Sequence, residues 1–347
     1  MTTLDPDLIS SVDSTGQLEE VLGLSEHLRD ALWRVDSSRA APVDAPGGVI
    51  VAGMGGSAAG ARLAIAALGP RLTKPFVVAD DYALPGWAGP ATLVLCSSYS
   101  GCTEETLAAY DRAFELGAPR LVVSTGGPLV ERARRDGVPV IPVPGGFQPR
   151  AAIGYSLVAA LEAAALAGAA PSVRDEIEAA ADLAETLASE WGPDGGDEAK
   201  DLARRLHGTV PVIAGAELAA AAAYRWKCQF NENAGVPAFS SVLPEADHNE
   251  VVGWAAARDL ARFSYVSLED GEAHPRNALR AELTAELAAT GADPVLRVTA
   301  RGTSRVERLV SLVLLGDLVA IYTAVLRGAD PVDIEPIDSL KAALDQR

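Results

Sequence analysis

Five short apolar runs, Val49–Ala52, Phe76–Ala79, Leu93–Cys96, Leu121–Ser124 and Val140–Val143, alternate with stretches of helical spacing near 57–68, 104–117 and 128–136. No other feature of the chain constrains its fold as tightly. A strand that is apolar on successive residues has no face to offer water, so it must be covered on both sides. Helices between such strands supply the cover and return the chain for parallel pairing. The pattern predicts an α/β fold with a doubly wound parallel sheet.

Around this block the spacing changes. Residues about 6–35 place Leu8, Ile9, Val12, Leu18, Val21, Leu22, Leu28 and Leu32 at helical intervals and read as one or two leading helices. A Pro/Gly/Ala linker, 41–48, follows. Residues 151–190 are rich in Ala, Leu and Glu and read as helices leading out of the block, and 191–196 (Trp-Gly-Pro-Asp-Gly-Gly) is a break. Beyond the break the strand–turn–helix of 49–62 recurs at 211–224, with Gly53 matched by Gly215 but without the glycine-rich, serine-bearing turn. A chain of 347 residues exceeds what one core commonly serves. We therefore expect two similar α/β domains of which only the first keeps a phosphate site. The expected boundaries are a helical extension at 1–46, a first domain at 47–170, a helical linker at 171–195, a second domain at 196–330 and a helical tail at 331–347.

Charge and cysteine usage narrow the function classes. A net charge of −18 repels nucleic acid and anionic membrane, so neither is an expected partner, and an anionic substrate would need a local positive site. Cys96, Cys102 and Cys228 are odd in number and lack metal or disulfide spacing, which fits a reducing cytoplasm. The N-terminus lacks the basic and apolar parts of a signal peptide. The longest apolar stretch, Leu309–Leu326, is interrupted by Gly316 and Asp317 and reads as a buried helix rather than a membrane span.

The chemistry-bearing residues cluster in a few segments. Ser98, Ser100 and Thr103, with Gly101, sit where the third strand hands over to a helix. Free N–H groups and the helix dipole converge at such a point and favour an anion. Hydroxyl donors without lysine suit a phosphate monoester, and no GxxxxGK[ST] occurs. Gly53–Gly60 fits G-x-G-x-x-G poorly, so its Gly56 and Ser57 read as a second close backbone approach to the ligand rather than a nicotinamide site. Arg150 ends a Pro/Gly-rich loop and can meet a substrate oxyanion or simply cap the following helix. Glu232, between two asparagines at the end of a helical stretch, can serve as a partly desolvated general base. His248 lies among Asp247, Asn249 and Glu250, which could fix its tautomer, and no second histidine or cysteine accompanies it at metal-ligand spacing. Lys341, one of four lysines, lies on a C-terminal helical stretch that by composition alone is solvated.

Taken in order, GMGGS (53–57), SYSGxTEET (98–106), QPRxAxGYSL (148–157), NENA (231–234), PExxHNExxGW (244–254) and IDxLK (337–341) resemble the bacterial and archaeal bifunctional phosphoglucose/phosphomannose isomerases of the sugar-isomerase (SIS) domain superfamily. The likeness runs from about residue 50 to the end. It implies two flavodoxin-like SIS domains, a homodimer, and neither metal nor organic cofactor. It puts Gly56, Ser57, Ser98, Ser100 and Thr103 on the substrate phosphate and gives Arg150 the enediolate. It gives Glu232 the proton transfer between C1 and C2, and His248 with Lys341 the ring opening, the histidine coming from the neighbouring subunit.

Three positions depart from the family pattern. Cys102 stands where the loop commonly has Asn, Ala58 follows Ser57 where Gly is usual, and Ala61 replaces a residue often used to polarise that turn. A thiol in place of an amide removes a strong hydrogen-bonding group beside the phosphate loop. Two other readings stay open at this stage: an isomerase for a different phosphosugar, and a phosphosugar sensor without catalysis.

Overall fold

The computed structural model describes residues 4–346. Three helices lead: α1 (Pro6–Val12), capped by the Asp5 carboxylate on Leu8 N–H, α2 (Gln17–Leu22) and α3 (Leu24–Ser38). The alternating block then gives β1 (Gly48–Ala52), α4 (Gly55–Leu68), β2 (Phe76–Ala79), β3 (Thr92–Ser97), α5 (Glu104–Glu115), β4 (Arg120–Ser124), α6 (Gly127–Asp136) and β5 (Val140–Pro142). Two long helices follow, α7 (Ile153–Leu166) and α8 (Arg174–Trp191). The second half holds α9 (Glu198–Leu206), β6 (Val210–Ala216), α10 (Leu218–Glu232), β7 (Phe239–Leu243), β8 (Phe263–Glu269), α11 (Pro275–Ala288), β9 (Ala292–Thr299), α12 (Arg305–Arg327) and α13 (Glu335–Asp345). Tight 3-10 turns at Glu245–His248 and Glu250–Asp259 join β7 to β8.

The chain forms two compact units. The first comprises residues 23–185 with 301–311; the second comprises 4–22, 186–300 and 312–346. Each is built on one parallel sheet, ordered β2-β1-β3-β4-β5 in the first and β7-β6-β8-β9 in the second. The first four strands of the first sheet and all four of the second follow the same order, so the recurrence at Gly53 and Gly215 extends to topology. Order 2-1-3-4-5 is the doubly wound arrangement whose ligands sit outside the strand carboxyl ends, between the first and third strands, where the winding reverses.

Double-sided burial holds for the central strands: every residue of β1 and β3 is buried. Val94, Cys96, Tyr110, Val122 and Leu129 share one core cluster beneath α5 and α6. In the second unit, the breaks in the long apolar stretch of α12 have packing causes. A Cβ at Gly316 would lie 2.1 Å from Trp226 Nε1, so only glycine lets the helix reach that ring, whose N–H donates to Leu312 O at 2.7 Å. Asp317 is there for Arg225, 2.5 Å away, with both side chains 3% exposed. The helix is long and apolar enough to cross a bilayer, yet 94% of its apolar window is buried inside the protein.

Candidate functional site

The turns after β1 and β3 meet at the switch point of the first sheet. A Cβ at Gly53 would lie 2.7 Å from Ser97 O and 3.2 Å from Ser57 Cβ, so the glycine lets the two turns abut. Helix α4 begins without a side-chain cap, and Ser57 N–H donates back to Met54 O at 3.1 Å, so the N–H groups of its first turn take no side-chain acceptor. Gly56 and Ser57 belong to that turn. A Cβ at Gly56 would come within 2.9 Å of Pro149 O, so the backbone of α4 also lies directly against the segment that carries Arg150.

The β3–α5 turn is held in a single shape. Ser98 is 2% exposed, and its Oγ shares a 2.8 Å hydrogen bond with Thr103 Oγ1 while accepting from Gly101 N–H at 3.1 Å. Ser100 Oγ accepts from Cys102 N–H at 3.2 Å, so both serines brace the backbone that curls over the start of α5. Gly101 has φ +70, and a Cβ there would sit 1.9 Å from Gly126 O. That glycine is required twice, by conformation and by space. Thr125 N–H and Oγ1 both donate to Tyr99 O, at 3.0 and 2.8 Å, tying the turn to the end of β4. Ser100, Cys102 and the α5 N-terminus face outward.

Arg150 is 3% exposed, and its guanidinium donates to Gln148 Oε1 at 3.4 Å. A buried cation whose backbone packs on the start of α4 supplies a local positive charge in a chain of net charge −18. The first unit thus carries Gly56 and Ser57 at the start of α4, Ser98, Ser100 and Thr103 on the abutting β3–α5 turn, and Arg150 on the segment packed against Gly56. A small cavity of about 10 Å³ between these segments is lined by Gly56, Ser57, Tyr99, Pro149, Tyr155 and Ser156 among others.

Glu232, His248 and Lys341 belong to the second unit, on three separate elements. Glu232 is the last residue of α10, half-buried, and the turn after it is anchored by Asn231 Oδ1, which accepts from Ala238 N–H at 2.9 Å. Arg225, Gln229 and Glu232 fall on one face of α10, the first two buried. His248 is exposed at the end of its 3-10 turn. The neighbours expected to orient it are engaged elsewhere: Asp247 accepts from Arg280 and Thr284, at 2.8 and 2.7 Å. Asn249 donates to Glu245 at 3.1 Å, and Glu250 accepts from Ser241. Lys341 is exposed on α13, beside the exposed Ile337, Leu340 and Leu344. Among the described residues no group of three or more His, Cys, Asp or Glu side chains converges as metal ligands would.

Tyr99 and Thr125 were not singled out from the sequence, yet both shape the β3–α5 turn. An aromatic residue between two serines of a hydroxyl-rich turn was the available signal for Tyr99; Thr125 carries none, since only the fold brings it to Tyr99.

Comparison with known proteins places these features in context. Residues 196–344 match the model of the bacterial phospho-glucose isomerase C-terminal SIS domain. The chain is 39% identical over 301 residues to a bifunctional phosphoglucose/phosphomannose isomerase of Caldicellulosiruptor bescii, covering 85% of this chain and 89% of that protein. It is 37% identical over 300 residues to the enzyme of that name from Aquifex aeolicus, covering 86% and 90%. A hypothetical protein of Thermus thermophilus, of known crystal structure, shares the fold with a TM-score of 0.73 at 18% identity, over 98% of this chain and 94% of that one.

Proposed function

The chain belongs to the bifunctional phosphoglucose/phosphomannose isomerase family and is an aldose–ketose isomerase, and on that premise we propose that it interconverts glucose 6-phosphate and/or mannose 6-phosphate with fructose 6-phosphate, with Glu232 as the base. The observation that supports this reading is the abutment of the hydroxyl-bearing turns after β1 and β3 at the switch point of the first sheet, with the backbone that carries the buried Arg150 packed on Gly56. Gly56, Ser57, Ser98, Ser100 and Thr103 hold the phosphate remote from the reacting carbons, where its binding energy can be used to position them.

Chemistry then needs an open-chain sugar, one base and one cation. The Glu232 carboxylate removes the C2 proton, the C1–C2 enediolate forms, the hydroxyl proton passes from O2 to O1, and the same carboxyl group returns its proton to C1. Arg150 faces the developing oxyanion. Electrons stay within the sugar, so the step balances without an external oxidant or reductant. Glucose 6-phosphate and mannose 6-phosphate differ only at C2 and give the same planar enediol, which is why one site can take both. His248 and Lys341 assist ring opening.

The proposal includes a homodimer in which His248 completes the neighbouring site. Two features of the second unit support it. Leu279, Leu283 and Leu287 form an exposed stripe along α11, 40 to 50% accessible, and Val252 and Leu260, near His248 in sequence, are 80 and 79% accessible. So much apolar surface on one unit calls for a partner. A cytoplasmic location belongs to the same proposal, supported by the three free thiols, Cys96, Cys102 and Cys228.

A coupled assay for fructose 6-phosphate from each sugar, run on the native enzyme and on Glu232→Gln, tests the proposal. The native enzyme turns over one or both sugars. The variant loses about 10²–10⁴-fold in kcat while binding a sugar phosphate as before. No product from either sugar would overturn the substrate assignment, and full turnover by the variant would overturn the base.

A further inference from the structure

Between β5 and α7 the chain passes through Gly145 and Gly146, both exposed, the second at φ +105, before it reaches Arg150. A Gly-Gly pair is the most pliable dipeptide available, and it lies just ahead of the buried cation in sequence. The Tyr99 hydroxyl spans this pair. It donates to Pro144 O at 3.2 Å and accepts from Phe147 N–H at 2.9 Å, closing the backbone on both sides of the glycines. Tyr99 itself lies between Ser98 and Ser100, and its carbonyl is fixed by Thr125. One side chain therefore joins the phosphate turn to the loop that carries the arginine.

The rest of that loop is held from outside. Arg34 donates to Pro142 O at 3.4 Å ahead of it. The Phe147 ring stands edge-on to His27 of α3 at 4.8 Å, and Tyr155, in the first turn of α7, donates to Asp30 at 2.9 Å. From Phe147 onward, Ala151 N–H closes on Gln148 O at 2.8 Å, so residues 148–151 form one rigid turn. The glycine pair is the pliable point of the loop, and the Tyr99 hydroxyl is what bridges it.

We infer that Tyr99 is a positioning residue, whose hydroxyl fixes the Gly145–Gly146 hinge and so holds Arg150 in register with the occupied phosphate turn. The inference rests on the role given to Arg150 above. It follows that the hydroxyl acts on the transition state rather than on phosphate capture. A cation misplaced by a fraction of an ångström loses much of its effect on an oxyanion, while the hydroxyls and N–H groups that grip the phosphate stay where they are.

Tyr99→Phe deletes the hydroxyl and keeps the ring. Measured on the full-length enzyme, it is expected to lower kcat by about 10- to 100-fold. KM and the Kd for inorganic phosphate should stay within about twofold, and the melting temperature should be nearly unchanged. In an Arg150→Ala background the same substitution should reduce kcat by less than about twofold more, because the group it positions is gone. Loss of phosphate affinity with kcat unchanged would overturn the inference, as would full additivity of the two substitutions. An Arg150→Ala enzyme with native kcat would instead overturn the role of Arg150, and this coupling with it. An impaired Arg150→Ala beside an unimpaired Tyr99→Phe would overturn the coupling alone.

Discussion

Ser98 Oγ and Thr103 Oγ1 stand 2.8 Å apart, one buried in the β3–α5 turn and the other at the N-cap of α5. This bond, with the 3.1 Å bond from Gly101 N–H to the same Ser98 oxygen, closes the loop on itself. The two serines of the turn should consequently separate in their effects. Ser98→Ala breaks both bonds in a buried place and should cost about 1 kcal/mol of stability as well as raising KM for the sugar phosphate. Ser100 is exposed and bonded only to Cys102 N–H among the contacts named above, so Ser100→Ala should raise KM with the unfolding midpoint unchanged. Urea unfolding and steady-state kinetics on the two variants check the contrast.

The first sheet was legible in the sequence because its strands are buried on both faces, and a run such as Val49–Ala52 has no other stable setting. The observed strands, Gly48–Ala52 and Thr92–Ser97 for instance, extend the apolar runs by a residue or two. Ser98, Ser100 and Thr103 were legible because a hydroxyl-rich turn before a helix has a local signature. Other features depend on partners far along the chain. Tyr99 meets residues 45 and 48 positions away, and Arg225 meets Asp317 across 92. Local periodicity carries no trace of such pairs. The polar segment after Pro244 misled for a related reason: its acids and amides looked free to orient His248, while in the fold Arg280, Thr284 and Ser241 engage two of them.

Arg225 and Asp317 make the most deeply buried ion pair named here, and Asp317 is held there although burial pushes its pKa up against the pull of Arg225. Asp317→Ala removes the carboxylate that lies 2.5 Å from the buried guanidinium and should cost about 3–5 kcal/mol. Replacing both partners, as Arg225→Met with Asp317→Leu, takes both charges out of the interior and should recover most of that loss. Chemical denaturation of the single and double variants measures the difference. A single variant as stable as the native protein would mean that the pair contributes nothing.

His27 is 7% exposed against Phe147 and Tyr155, and burial lowers its pKa below the ordinary 6.5 despite the opposing pull of Glu26 and Asp30. The unfolded chain takes up a proton on this side chain near pH 6.5, whereas the folded protein resists it. Its contribution to stability is therefore intact above pH 6.5 and is lost as the pH falls from there through the lower folded-state value. His27→Gln removes that titration. The native urea midpoint should drop more steeply than the variant's between about pH 7 and about pH 5, and equal slopes would assign the acid sensitivity to other groups.

A homodimer that exchanges His248 predicts complementation. Glu232→Gln lacks the base and His248→Ala lacks the ring-opening group, so each variant alone should be nearly inactive. In a mixed dimer, one site pairs the intact Glu232 of the His248→Ala chain with the intact His248 of the Glu232→Gln chain. Random exchange of equal amounts makes about half the dimers mixed, each with one good site of two, so activity should recover to about a quarter of native. Introducing a charge into the α11 stripe, as in Leu283→Glu, should both abolish this recovery and shift the native enzyme toward monomer in sedimentation. Variants that exchange subunits and regain no activity would mean that each chain supplies its own histidine.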